Sequence, residues 1–188
     1  RKSEVPKRMG IKNRYYSMVV KGIRFLFLDT TDVSIYAQPA ETERTATAKA
    51  ELSKWNAKKL QQARPWNGAI GKAQLKWFAG ELESARRSGQ KVIVFSHHPV
   101  APKGGHLIWN AEEVLEHIEG CSHIVGWFCG HNHAGAFAEM DGMPFVTMKG
   151  MVETKDSTAY AVMDVFEDRL IIGGRGREVS RELVFGTE

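Results

Sequence analysis

The chain has 188 residues, 43% of them hydrophobic and 26% charged, a composition that excludes a disordered or fibrous segment and fits one globular domain. No apolar run approaches the roughly 20 residues that a membrane-crossing helix needs. The net charge of +4 is spread along the chain, without the clustered basic residues of a nucleic-acid-binding module.

In chain order, the first dozen residues are basic and polar and are expected to form a mobile segment. Residues 15–21 and 23–29, parted by Gly22, read as the two strands of a hairpin. Residues 42–62 are rich in Ala, Lys and Glu, with Leu52, Trp55 and Leu60 spaced for one face, so a helix is expected there. It would lie over the core as a surface excursion or a lid. Arg64-Pro65-Trp66-Asn67-Gly68 then forms a loop, because Pro and Asn-Gly interrupt regular structure. Residues 72–87 carry Leu75, Phe78, Leu82 and Ala85 at helical spacing, with Gly89 as the stop.

Residues 91–96 read as a buried strand. Asn110-x-x-Glu113 resembles a capping box opening a helix through Ile118. Residues 124–129 are the next strand. The remainder is β-rich: 136–140, an Asp141-Gly142 turn, 144–148, 160–166 and 169–172. Helices between early strands and antiparallel strands later predict an α/β (α+β) fold, with sheets packed together and covered by helices.

The chemistry gathers at the ends of two strands. Val92-Ile93-Val94-Phe95-Ser96 leads into His97-His98-Pro99, and Ile124-Val125-Gly126-Trp127-Phe128-Cys129 leads into Gly130-His131-Asn132-His133. Residues i and i+2 of extended chain point the same way, so His131 and His133 can present both imidazoles to one small volume. Gly130 is expected to supply the sharp turn out of the strand. Neutral imidazole suits manganese, iron and zinc. His97, His131 and His133 are the candidate metal ligands. His98 occupies the variable position of its motif and is a candidate only for a supporting or catalytic role.

The other histidines have plainer readings. His106, His117 and His123 stand alone and are expected to be surface or satisfied core residues. Cys129 with His131, His133 and Cys121 could make a closed zinc site, but the usual C-x2–4-C knuckles are lacking. Cys129 reads better as a small buried hydrophobe. The basic cluster Arg175, Arg177 and Arg181 reads as a solvated chain end before it reads as a phosphate clamp.

Both histidine motifs, in this order, resemble the calcineurin-like metallophosphoesterase superfamily, and within it the manganese-dependent ADP-ribose/CDP-alcohol diphosphatases. Further segments carry the resemblance: Tyr15-Tyr16, Phe27-Leu28-Asp29, Trp66-Asn67-Gly68, Trp109-Asn110, Gly150-Met151-Val152-Glu153-Thr154 and Gly174-Arg175-Gly176-Arg177. It therefore runs from about Tyr15 to Arg177.

The resemblance implies a four-layer αββα sandwich, of which residues 1–188 would be the C-terminal portion, mainly the second sheet and its flanking helices. It implies two divalent ions, manganese first, with iron or zinc as alternatives. His97 and His131 would sit on the second ion and His133 on the first. A water deprotonated between the ions would attack the diphosphate of a small nucleoside diphosphate derivative. Trp66, Trp109 and Asn110 are candidates for lining the nucleoside or alcohol side of the pocket.

The family's other ligands come from Asp-x-His, Gly-Asp-x-x-Asp and Gly-Asn-His motifs, and none of these occurs here. They are expected upstream of Arg1, in an N-terminal part of the same domain. Two other readings stand beside this one: a phosphodiesterase or phosphomonoesterase of the same superfamily, and a non-catalytic metal-binding scaffold. Neither a nucleic-acid nor a membrane partner is expected. A leader could lie upstream of Arg1, so the compartment stays open, with the cytoplasm as the default.

Overall fold

The computed structural model describes residues 4–11 and 13–185. Of the expected mobile segment, residues 1–3 and Lys12 lie outside the described residues. Within the rest of it, Val5–Arg8 forms one helical turn, α1.

A six-stranded sheet carries the site. Its order is β1-β2-β3-β4-β6-β5, with β1 (Tyr16–Val20), β2 (Ile23–Phe27), β3 (Val92–Phe95), β4 (Ile124–Cys129), β5 (Ala136–Met140) and β6 (Met143–Thr147). The four central strands β2, β3, β4 and β6 are mutually parallel, and β1 and β5 close the two edges by antiparallel pairing. Both edge hairpins turn through two residues of positive φ, Lys21-Gly22 and Asp141-Gly142. That is the geometry tight hairpins require to match strand twist.

The central strands are apolar on both sides because both faces of the sheet are covered. Val92 and Val94 of β3 face a cluster with Leu75, Phe78, Leu82 and Ala85 of α3 (Lys72–Arg87) and Val114 and Ile118 of α4 (Ala111–Ile118). Ile93 and Phe95 face the opposite cluster, with Phe128, Leu170, Ile172 and Leu183. The register of β3 on β4 slips between Val92 and Ile93, so β4 carries one extra residue. The slip brings Gly126 against Phe128 and Leu170, where an added Cβ would lie 2.8 Å and 3.3 Å from those side chains.

Leu170, Ile172 and Leu183 belong to a second, antiparallel sheet ordered β7-β8-β9: β7 (Ala159–Val165), β8 (Arg169–Gly176) and β9 (Arg181–Val184). The described residues thus form three layers, helices on sheet on sheet. The outer face of the second sheet exposes Tyr160 and Val162. The described residues therefore contribute to two sheets, the six-stranded one and the smaller antiparallel one.

Local departures from the sequence reading have clear causes. The helix expected over 42–62 is α2, Glu43–Ala57. Thr42 caps it through its hydroxyl, and it ends where Lys59 takes a φ of 54°. Leu60 and Ala63 then pack with Ala48, Leu52 and Trp109 in a third, smaller cluster. Asn110 stands at the N-cap of α4 but does not build a capping box. Its Oδ1 accepts from the Ile70 backbone N–H at 3.1 Å, and its Nδ2 donates to the Ile70 carbonyl and to Glu113 Oε2, both at 2.9 Å, so Asn110 and Glu113 bond side chain to side chain and not through the helix N–H groups.

Candidate metal centre

Parallel pairing brings the two histidine motifs together. Phe27 of β2 pairs with Phe95 of β3, which pairs with Phe128 of β4, so all three strands end at one edge of the sheet. Loops leaving that edge carry Thr30, His97-His98 and His131. Such strand ends are where open α/β sheets place ligands.

Among the described residues, His97, His98 and His131 form a potential metal-binding group, with one donor atom of each within 4.8 Å of the others. The ring centroids of His97 and His131 are 5.1 Å apart, and those of His98 and His131 are 4.1 Å apart. The sharp turn falls on His131 itself, at φ 67°, and not on Gly130. A non-glycine residue there costs about 1–2 kcal/mol, and such strain collects at functional sites. Gly130 donates its N–H to the His97 carbonyl at 2.9 Å, which ties the two histidine loops together.

The cluster is electrically neutral at pH 7. Burial, then the neighbouring charges of His131 and His97, push His98 down from the ordinary 6.5 to about 3. Burial, then His97, His106 and His133, bring His131 down to about 4. His97 is lowered by burial and by His133. Neutral imidazole is the form that binds a metal.

The three rings are not equivalent. His98 is buried and both its nitrogens are engaged: Nε2 donates to the Trp66 carbonyl at 3.3 Å, and Nδ1 accepts from the Thr30 hydroxyl at 2.8 Å. A ring so tied cannot offer a lone pair or relay a proton, which removes it as a catalytic candidate. His97 makes no ring hydrogen bond among the described residues and is open at the mouth of the site. His131 bonds through Nε2 alone, to Asn67 Oδ1 at 2.8 Å.

His133 stands apart from this group. Its side chain is exposed, and Nδ1 is paired with Glu153 Oε1. The segment bearing Glu153 is anchored from behind: Gly150 donates its N–H to the His133 carbonyl at 3.0 Å, and Arg177 Nη2 donates to the Gly150 carbonyl at 2.6 Å. A Cβ at Gly150 would lie 2.7 Å from His133 Cγ and 2.9 Å from Glu153 Cγ. Arg175, Arg177 and Arg181 all donate to backbone carbonyls, so they tie loops and do not gather as a phosphate clamp.

Two of the substrate-lining candidates are corrected. Trp109 is 1% exposed, packed in the third cluster, with Nε1 donating to the Arg64 carbonyl. Asn110 is buried on Ile70. Neither offers a face to a ligand, because both stitch the 64–70 segment to the start of α4. Trp66 is 51% exposed, with the Arg64 guanidinium 6.0 Å from its ring centroid.

His106, expected to be an ordinary histidine, has its ring 5.4 Å from that of His131. The Gly104-Gly105 pair before it was the available signal, since it gives that loop conformational freedom. His117 and His123 bond backbone carbonyls, as satisfied residues do. Cys129 is buried and its thiol is pushed up to about 11, and neither cysteine joins the metal-binding group. An apolar cavity of about 310 Å³ lies between the sheets, lined by Phe95, Phe128, Met148 and Met163 among others. Its polar lining residue, Ser96, already bonds His98 O and Trp127 Nε1, so the cavity suits packing and not phosphate.

Described carboxylates do not enter the cluster. Asp29 and Asp32 are held by Arg14, and Asp32 also accepts from the Gly71 N–H. The described residues therefore fit a metal ion as neutral nitrogen donors, without the anionic ligands that hold two cations close together.

No protein-family model matches the chain. It is 32% identical over 178 residues to the manganese-dependent ADP-ribose/CDP-alcohol diphosphatase of Xenopus laevis, covering 85% of this chain and 49% of that protein. Against the protein of the same description from Homo sapiens it is 28% identical over 188 residues, 93% of this chain and 55% of the other. A crystal structure of a dimetal phosphatase from Danio rerio matches with a TM-score of 0.84 and 25% identity, over 92% of this chain and 60% of that one. The chain spans about half the length of the curated relatives it matches.

Proposed function

We propose that this chain, related to manganese-dependent ADP-ribose/CDP-alcohol diphosphatases over about half their length and sharing the fold of a dimetal phosphatase, bears part of a two-ion phosphohydrolase centre. Its substrate would be a nucleoside diphosphate derivative of the ADP-ribose or CDP-alcohol type, cleaved at the diphosphate. The observation that carries this reading is the meeting of His97 and His131 at one strand edge, as neutral rings, with His133 two residues on.

His97 and His131 would hold one ion and His133 the other. When bound, manganese neutralises phosphoryl oxygens and lowers the pKa of water enough to make a nucleophile at neutral pH. The chain's own residues shape the rest. His98, Thr30 and the Trp66 carbonyl form a rigid floor, Glu153 orients His133, and exposed Trp66 offers an aromatic face for a base. The carboxylates that two close cations require would come from polypeptide outside these 188 residues, in the same domain. The neutral donor set and the half-length match to the relatives both support this.

The test is manganese-dependent hydrolysis of ADP-ribose, CDP-choline, cyclic AMP and an aryl phosphate. Turnover of the two diphosphates supports the reading. Turnover of cyclic AMP or the aryl phosphate alone moves the assignment to a phosphodiesterase or phosphomonoesterase. Manganese binding with no turnover, and loss of that binding in His131→Ala, would favour the scaffold reading, for which the carboxylate-free cluster speaks.

A further inference from the structure

The Trp66-Asn67-Gly68 turn lies directly beneath the histidines, and its middle residue has no assigned role. Asn67 is fully buried. Its Nδ2 donates to the Gln62 carbonyl at 2.9 Å and to the Gly105 carbonyl at 2.8 Å. Carbonyl oxygens only accept, so the amide can be placed only one way round, with Oδ1 towards His131. Oδ1 lies 2.8 Å from His131 Nε2 and carries no proton. The proton of that hydrogen bond therefore belongs to Nε2, and in the neutral ring the lone pair falls on Nδ1.

The turn cannot easily yield. The Asn67 N–H donates to the Arg64 carbonyl at 3.1 Å, and the Trp109 N–H to the Gly68 carbonyl at 2.7 Å. Gly68 presses against the chain after β2 so closely that a Cβ would lie 2.4 Å from the Thr30 carbonyl oxygen. Trp109 and Gly68 thus hold the amide that holds His131.

We propose that Asn67 is a positioning residue of the metal centre, keeping His131 in its Nε2–H tautomer so that Nδ1 is the atom presented to the ion. The inference rests on the reading of His131 as a ligand. Partners of this kind fix ring orientation and tautomer, and their loss typically weakens metal binding about 10–100-fold. His133 is set the opposite way, because a carboxylate on Nδ1 leaves Nε2 as its donor.

The experiment has two readouts on the full chain. Long-range proton–nitrogen NMR of the metal-free protein, with His131→Gln to assign the ring, reports the tautomer. Titration with Mn2+, followed by the EPR signal of the free ion, reports affinity. The expected result is Nε2–H in the wild type. Asn67→Ala should show mixed tautomers and an affinity lower by about 10–100-fold, whereas Asn67→Asp, which keeps an acceptor oxygen, should retain the tautomer. A wild type dominated by Nδ1–H overturns the proposal, and this spectrum decides even if Asn67→Ala fails to fold. Equal affinity in the wild type and Asn67→Ala also overturns it. A wild type with Nε2–H in place and no affinity for Mn2+ overturns instead the metal-centre reading on which it rests.

Discussion

Thr30 and His98 exchange two hydrogen bonds: the Thr30 hydroxyl accepts from the His98 backbone N–H at 3.1 Å and donates to Nδ1 of the same residue at 2.8 Å. The pair joins the loop after β2 to the loop after β3, both deeply buried. Thr30→Val keeps the shape and removes both bonds, leaving two buried polar groups without partners. Each such group costs about 1–3 kcal/mol. Urea unfolding should show a loss of about 2–6 kcal/mol for the two groups together, and an unchanged midpoint would mean the pair contributes nothing.

Acid should destabilise the protein through the same ring. The folded His98 takes a proton only near pH 3, whereas the unfolded chain takes it near the ordinary 6.5. The unfolded state therefore binds more protons between those values. The contribution is complete above about pH 6.5 and falls as pH drops towards 3, by about 1.4 kcal/mol per unit across that window. His131, at about 4, adds to the slope in the same direction. Urea midpoints at pH 7, 5.5 and 4.5 should decline, and less steeply in His98→Asn.

Manganese should stabilise the folded chain, since a ligand of the native state alone adds about 2.7 kcal/mol at 100 times its Kd. A rise in melting temperature with Mn2+, reversed by a chelator and absent in His97→Ala and His131→Ala, is the expected outcome. An equal rise in the alanine variants would place the ion elsewhere.

Glu153 and Gly150 should matter for His133 and little for the fold. Glu153→Ala frees the ring from its carboxylate, and Gly150→Ala puts a methyl group 2.7 Å from His133 Cγ. Both variants are expected to bind Mn2+ more weakly, by about 10–100-fold for Glu153→Ala. The urea midpoint of Glu153→Ala should stay within about 0.5 kcal/mol of wild type, because the side chain is largely exposed.

Local rules made much of the scaffold legible. The helix over residues 72–87 and the strands over 124–129 and 136–140 follow from apolar spacing and from their Gly stops, all of which lie within a few residues of the element itself. The final strand, β9, is short and half exposed, so its alternation was too weak to read. The sequence predicts a longer helix after residue 42 because nothing local forbids it past Ala57. It stops where Leu60 and Ala63 turn inward to meet Trp109, a contact made across 46 or more residues.

The histidine pairs were readable for the same local reason: each closes an apolar run, and the residue types themselves are metal donors. What the amino-acid order determined alone was therefore which residues could carry the chemistry, and that two strand ends would carry it. Their assembly belongs to the tertiary structure. Parallel pairing of β2, β3 and β4 is what brings Thr30, His97 and His131 to one edge. Hydrogen bonds across 32 to 68 residues then sort the rings, tying His98 on both sides and leaving His131 one open nitrogen. The burial of Trp109, the approach of His106 to His131 and the grip of Asn67 arise in the same way. They depend on what lies opposite each side chain in space, and no periodicity along the chain encodes that.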